Sequence, residues 1–131
     1  MKSILTASVL LLMIMGCANV PPRVTYAPNE PINIENPFFL VVNRDRAEVE
    51  KALKKEGVKI SGQSLSSIYE LRVRVGRSVA HQDCGSVHNV SYEVLDRGMR
   101  VMIIKGRGPA GSCEPNIFEQ MSKELVAQSA N

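Results

Sequence analysis

The sequence predicts an α+β domain, an open-faced two-layer sandwich with the order β-α-β-β-β-α. Three observations predict it. Phe38-Phe39-Leu40-Val41-Val42 is a short, continuous apolar run rich in β-branched and aromatic residues, which reads as a strand. From Ser67 to Lys105 the chain reads as a three-stranded meander, with period-2 alternation clearest from Tyr69 to Val75. Two further segments, near 45–56 and 116–127, each carry one apolar stripe at helical spacing. Stripes of that kind and a meander with one dry face are buried best when both helices lie on one face of a four-stranded, mostly antiparallel sheet.

Composition sets the scale. The chain has 131 residues, 5% aromatic residues and no tryptophan, so its core must come from Val, Ile, Leu and Met. The length suits one small domain, which buries roughly two-thirds of its unfolded surface. The net charge of +3 is mild and its cations are scattered, which argues against a nucleic-acid partner.

Residues 18–37 hold Pro21, Pro22, Pro28, Pro31 and Pro37. Proline fixes φ and lacks an N–H, so neither a helix nor a central strand is expected there. The segment reads as a tether reaching roughly 60 Å if fully extended, with Val24, Tyr26 and Ile32 able to anchor it on the domain. The globular domain is expected over 38–128. Phe38–Val42, apolar throughout, reads as a central strand buried on both faces. A helix then starts at Asn43 or Asp45, with Asp45 and Glu48 spaced as a capping box, and stops at Gly57. Val49, Ala52 and Leu53 form its inner stripe.

Val58 to Ile60 suggests a brief strand, followed by a loop at Ser61-Gly62-Gln63-Ser64. In the next strand Tyr69, Leu71, Val73 and Val75 face inward, and Glu70, Arg72 and Arg74 outward. His81 to Ser86 reads as a loop. The strand from Val87 to Leu95 turns Val90, Tyr92 and Val94 inward. Asp96-Arg97-Gly98 is a hairpin turn, and Met99 to Lys105 closes the meander. Gly106 to Cys113 reads as irregular. A last helix begins near Pro115 or Asn116, with Asn116 and Glu119 as its capping box and Ile117, Phe118, Met121 and Leu125 on one face; its tail is expected to fray after Ala127.

The N-terminus carries the most specific motif. Lys2 precedes an apolar run from Ile4 to Met15, too short to span a bilayer permanently, which leads through Ile14-Met15 into Gly16-Cys17. This arrangement resembles the precursor of a bacterial lipoprotein, whose lipobox places an aliphatic residue three positions before cleavage and cysteine just after it. The resemblance implies a signal peptide over 1–16, cleavage after Gly16, diacylglyceryl transfer to the Cys17 sulfur and acylation of the new amine, with a lipid-anchored tether over 17–37. Ala18 stands where aspartate is the usual inner-membrane retention signal. Its presence favours the periplasmic leaflet of the outer membrane.

Under that resemblance Cys17 goes to lipid, and Cys84 and Cys113 remain in a disulfide-permissive compartment, where they are expected to pair. The meander supports this, because counting strands brings both to the same end of the sheet. Closing a loop of roughly 30 residues is worth about 3–4 kcal/mol in the chain-entropy model.

Three constellations are candidate sites. Arg72, Arg74, Arg77, Arg100 and Arg107 could form a patch for phosphate or carboxylate groups, of which Arg72, Arg74, Arg100 and Arg107 are the principal candidates. The alternative is a solvated sheet face with cross-strand pairs to Glu70 and Glu93. The glycine-rich run from Gly106 to Cys113, entering a helix N-terminus beside Arg107, could cradle an anion, or could simply deliver Cys113 to Cys84. His81, Asp83, Cys84 and His88 could bind metal or pair a thiol with an imidazole, but a disulfide at Cys84 removes the thiolate. No metal or other cofactor is expected.

The expected function is therefore a small binding or accessory module of the envelope, without enzymatic activity. Its partners would be the membrane, through the anchor, and an envelope protein or anionic envelope polymer, reached through the sheet face or by strand addition at a sheet edge. The alternatives are a cysteine- or metal-dependent hydrolase at Cys84, His81 and His88, and a structural lipoprotein with no dedicated ligand.

Overall fold

The computed structural model describes residues 19–27, 31–63, 69–81, 85–110, 113–114 and 116–129. Along the chain come β1 (Val20–Tyr26), β2 (Phe38–Val42), α1 (Arg46–Lys55), β3 (Ile60–Ser61), β4 (Tyr69–His81), β5 (Gly85–Asp96), β6 (Met99–Pro109) and α2 (Ile117–Ser129). The class is α+β, as expected. The sheet is larger than expected, with six strands in the order β1-β6-β5-β4-β2-β3 rather than four. It is also mixed: β1, β6, β5 and β4 pair antiparallel, while β2 runs parallel to both β4 and β3. Among the described residues no helix is long and apolar enough to cross a membrane.

The additional edge strand is β1, drawn from the segment expected to be a tether. It pairs with β6 from Val20↔Arg107 to Tyr26↔Ile103, with register shifts on either side of Arg23 and Val24. Pro21 and Pro22 are tolerated because an edge strand needs donors on one side only. Val24 packs on the core and Ile32 is 2% exposed, as anchors should be, whereas Tyr26 is 50% exposed. The Asn33 N–H donates to the Tyr69 hydroxyl at 3.2 Å, and the Tyr69 ring stacks on Phe38 at 5.2 Å. The polypeptide ahead of β2 is thus pinned to the domain.

Neither sheet edge is a good template for strand addition. The β3 edge is two residues long and the β1 edge carries two prolines, both of which discourage further pairing.

Strand β2 has one dry face, not two. Phe38 and Leu40 are buried, while Phe39 is half-buried and Val41 is 41% exposed, because the helices cover a single side of the sheet. Asn43 caps this strand and starts no helix. Its amide donates to Val75 O at 3.0 Å and its Oδ1 accepts from Val75 N–H at 2.8 Å, extending the β2–β4 ladder beyond Val42↔Val73. The capping box at Asp45 does not form. Asp45 sits at φ 57°, ψ 37°, and its side chain makes no cap hydrogen bond, since capping needs an extended backbone. The other end of α1 matches expectation: Gly57 has φ 83°, its N–H reaches Lys54 O, and Val58 N–H reaches Leu53 O, a Schellman stop.

The meander has the expected faces. Tyr69, Leu71, Val73, Val75, Val90, Tyr92 and Val94 all turn into one core with Val49, Ala52 and Leu53 of α1 and Ile117, Phe118, Met121 and Leu125 of α2. Arg97 and Gly98 both have positive φ, so β5 and β6 are joined by the tight two-residue turn that suits strand twist. Burial pushes the Tyr92 phenol above its ordinary pKa, partly offset by its hydrogen bond to Ser122. The Tyr92 hydroxyl donates to Ser122 Oγ at 3.2 Å, and Ser122 passes the bond on to Phe118 O at 2.7 Å.

Two expectations at the end of the chain need correction. Residues 106–109 continue β6 instead of forming an irregular loop. The reason is steric. A Cβ at Gly106 would lie 3.0 Å from Met121 Sδ, 3.2 Å from Ile117 Cδ1 and 3.3 Å from Pro22 Cα, and one at Gly108 would lie 3.4 Å from Ile117. These glycines let α2 settle on the strand. The helix also continues past Ala127 to Ser129, which is buried and donates to Leu125 O at 2.7 Å.

Two stability outcomes follow from this packing. Gly106→Val should cost about 1–3 kcal/mol through overpacking, read as a lower urea midpoint, with Gly62→Ala, which meets nothing within 4 Å, near neutral. Tyr92→Phe should cost about 1 kcal/mol, the net worth of one hydrogen bond, in the same measurement.

Candidate binding face

The helices leave the other side of the sheet uncovered. Cross-strand partners share a face, so the pairing register writes out this surface row by row. One row runs Val41, Arg72, Glu93, Ile103, Tyr26 across β2, β4, β5, β6 and β1. The next runs Arg74, Ser91, Lys105, Arg23. Beyond it lie Asn89, Arg107 and Val20, toward the end of the sheet where β1 begins and β6 ends. On the other side, toward the β5–β6 turn, lie Phe39, Glu70, Leu95 and Arg100.

Charge divides this face into two halves. In the half near the β5–β6 turn, Arg72 Nε pairs with Glu70 at 2.6 Å and Arg100 Nε with Glu93 at 3.4 Å. The cations there are matched by carboxylates and interleaved with Phe39, Val41, Ile103 and Tyr26. In the half near the start of β1, Arg23, Arg74 and Lys105 are exposed and, among the described residues, none makes an ion pair. They share one row that spans about 14 Å at ordinary strand spacing. Arg74, Gly76, Asn89, Ser91 and Lys105 line an open depression of about 360 Å³ there. A row of like charges on one face is unfavourable without counter-charge, so the surface is suited to an anionic one.

The four arginines singled out from sequence lie on one face but divide between its two halves. Arg72 and Arg100 are neutralised locally, while Arg74 and Arg107 belong to the other half. Lys105 and Arg23 were missed. Lys105 ends a run apolar at nearly every position, and Arg23 lies in the proline-rich segment; only their register with Ser91 and Arg74 reveals them. Arg77 sits at the register shift between Val75 and Ser78 and is exposed.

Of the glycine-rich run from Gly106 to Cys113, residues 111 and 112 lie outside the described residues. Arg107 lies inside β6, with its Nε buried and without a hydrogen-bond partner. The first turn of α2 is already occupied, since Asn116 Oδ1 accepts from Phe118 N–H at 2.9 Å and Glu119 N–H at 3.4 Å.

Of the metal or nucleophile cluster, Asp83 and Cys84 lie outside the described residues, and His81 is described only as the last residue of β4. His88 is buried with both ring nitrogens engaged: Nδ1 donates to Gly76 O at 3.1 Å, which leaves Nε2 to accept from Ser86 Oγ at 3.3 Å. Among the described residues no three His, Cys, Asp or Glu side chains converge on a metal position. Cys17 lies outside the described residues as well. The sulfur of Cys113 is disulfide-bonded. The pairing Val87↔Pro109 puts the chain ends leading to Cys84 and to Cys113 at the same end of the sheet.

No family model matches the chain, and no curated protein does. Solved structures do match in fold. A single-substitution variant of the PelC dodecamer from Paraburkholderia phytofirmans superposes with a TM-score of 0.53 and 15% identity, covering 84% of this chain and 98% of that one. A second crystal form of the PelC dodecamer from the same organism gives a TM-score of 0.52 and 16% identity, over 81% and 93% of the two chains. At these identities the likeness is one of fold.

Proposed function

We propose that the chain is a lipid-anchored envelope protein, held at the periplasmic face of the outer membrane, that works as a small binding and assembly module and not as an enzyme. The lipobox at Ile14–Cys17, with Ala18 after it, supports the anchor and the location. The observation that carries the binding role is the uncovered sheet face, whose half near the β5–β6 turn combines exposed or half-buried Phe39, Val41 and Tyr26 with charge-matched pairs. Apolar side chains among compensated charges are the makings of a protein contact. Both structures of similar fold are dodecamers. A further copy of this chain is accordingly the first partner proposed, meeting it face to face because both sheet edges are blunted.

The pairing of Cys84 with Cys113 belongs to the same proposal, and it leaves a hydrolase at Cys84 and His81 without a nucleophile.

Two measurements check these points. Light scattering of the mature protein in detergent should show an oligomer, and Val41→Lys should weaken assembly about tenfold, the effect of losing roughly 1.4 kcal/mol; a wild-type monomer at micromolar concentration would refute the assembly role. Titration of the native, unreduced mature protein with a thiol reagent should find no free thiol, whereas one or two would return catalysis to consideration.

A further inference from the structure

The start of β1 bears directly on how the domain meets the membrane. Three peptide units separate Cys17 from Val20, a reach of at most about 10 Å for an extended chain. Val20 is already locked onto β6 opposite Arg107. A domain attached there cannot stand tens of ångströms away on a tether, as the proline content first suggested. The acyl chains and the end of the sheet holding Val20 and Arg107 must lie close together.

That end is also where the unmatched positive charge is. Arg107 is the cross-strand partner of Val20, and Arg23 and Lys105 pair in the next row with Ser91 and Arg74 beside them. Both carboxylates placed by the register on the open face, Glu70 and Glu93, lie in the other half with their arginines. Among the described residues, Asp45, just after the Asn43 that bonds Val75, Glu114, exposed in the turn before α2, and Glu119, paired with Lys55 at 3.3 Å, make no ion pair with Arg23, Arg74, Lys105 or Arg107. The charge gradient along the open face therefore runs toward the anchor. Anionic head groups attract cations only within about a Debye length, roughly 8 Å at physiological salt, a distance that the short link brings within reach.

We propose that the anchor-side half of the open face, with Arg23, Arg74, Lys105 and Arg107, docks against the anionic lipid head groups of the membrane that holds Cys17. The acyl chains supply attachment, and the basic face supplies orientation through its attraction to anionic head groups. The inference rests on the lipoprotein reading above.

The test uses the mature protein, its acylation first checked by mass, in vesicles of phosphatidylethanolamine with or without phosphatidylglycerol. A water-soluble amine-reactive ester then modifies the lysines. Lys105 should be modified about fivefold more slowly on the phosphatidylglycerol vesicles, as electrostatic contact with the head groups requires. Protection should vanish at high salt, and in the Arg23→Glu, Arg74→Glu double variant. Lys51 and Lys123, exposed on the helices, should react equally on both. Equal modification of Lys105 on both vesicles, with acylation confirmed, overturns the docking surface alone. The same protection from inorganic phosphate on uncharged vesicles also overturns it, in favour of a soluble anion. A mass without acyl chains overturns the lipoprotein reading and the docking with it.

Discussion

The contact between α2 and β6 is the constraint on which the other features depend. Ile117 and Met121 come down on Gly106, where a Cβ would press on both and on Pro22 at 3.0–3.3 Å, and Ile117 also lies against Gly108. Once seated, the helix presents Phe118 O and Ser122 to the hydroxyl of Tyr92, so both buried hydroxyls find partners. The same close approach has Pro22 of β1 at its margin, so the edge strand, the central strands and the helix are fitted together around the missing Cβ of Gly106. Protein interiors tolerate little misfit, and such a junction is sensitive to added volume.

Because both helices spend their single apolar stripes on one side, the sheet is left with two unlike faces. The inner face holds nearly all of the large aliphatic residues. The outer face is read by the register, and the register sorts its charges into a compensated half and an uncompensated one. Arg72 and Arg100 look equivalent to Arg74 in the sequence, but each pairs with a glutamate, and among the described residues Arg74 makes no ion pair. Separation of this kind is a property of rows across strands and does not depend on the number of charges in the chain.

The N-terminal segment links the fold to its surroundings. Proline excludes it from the sheet interior, yet on the edge Pro21 and Pro22 are an advantage, since they shield β6 without offering a new ladder. As a strand instead of a tether, the segment is held to β6 from Val20 onward and gives the open face a near end and a far end relative to Val20.

Local pattern alone determined much of this protein: the α+β class, the inward residues of the meander, the turn at Arg97-Gly98, the stop at Gly57 and the start of α2 after Asn116. Each depends on side-chain periodicity or on the backbone preference of one or two residues, and those act within a few positions. Tertiary structure decided the rest. Residues 20–26 became a strand because β6 had an open edge to fill, and residues 106–109 remained a strand because α2 needs to approach closely. Asp45 adopted a left-handed backbone that defeats the cap its spacing advertised, while Asn43 bonded to β4. The cationic row of Arg23, Arg74 and Lys105 is drawn from β1, β4 and β6, which only hydrogen-bonded register brings side by side. Register arises from long-range burial and pairing, and no local window of sequence contains it.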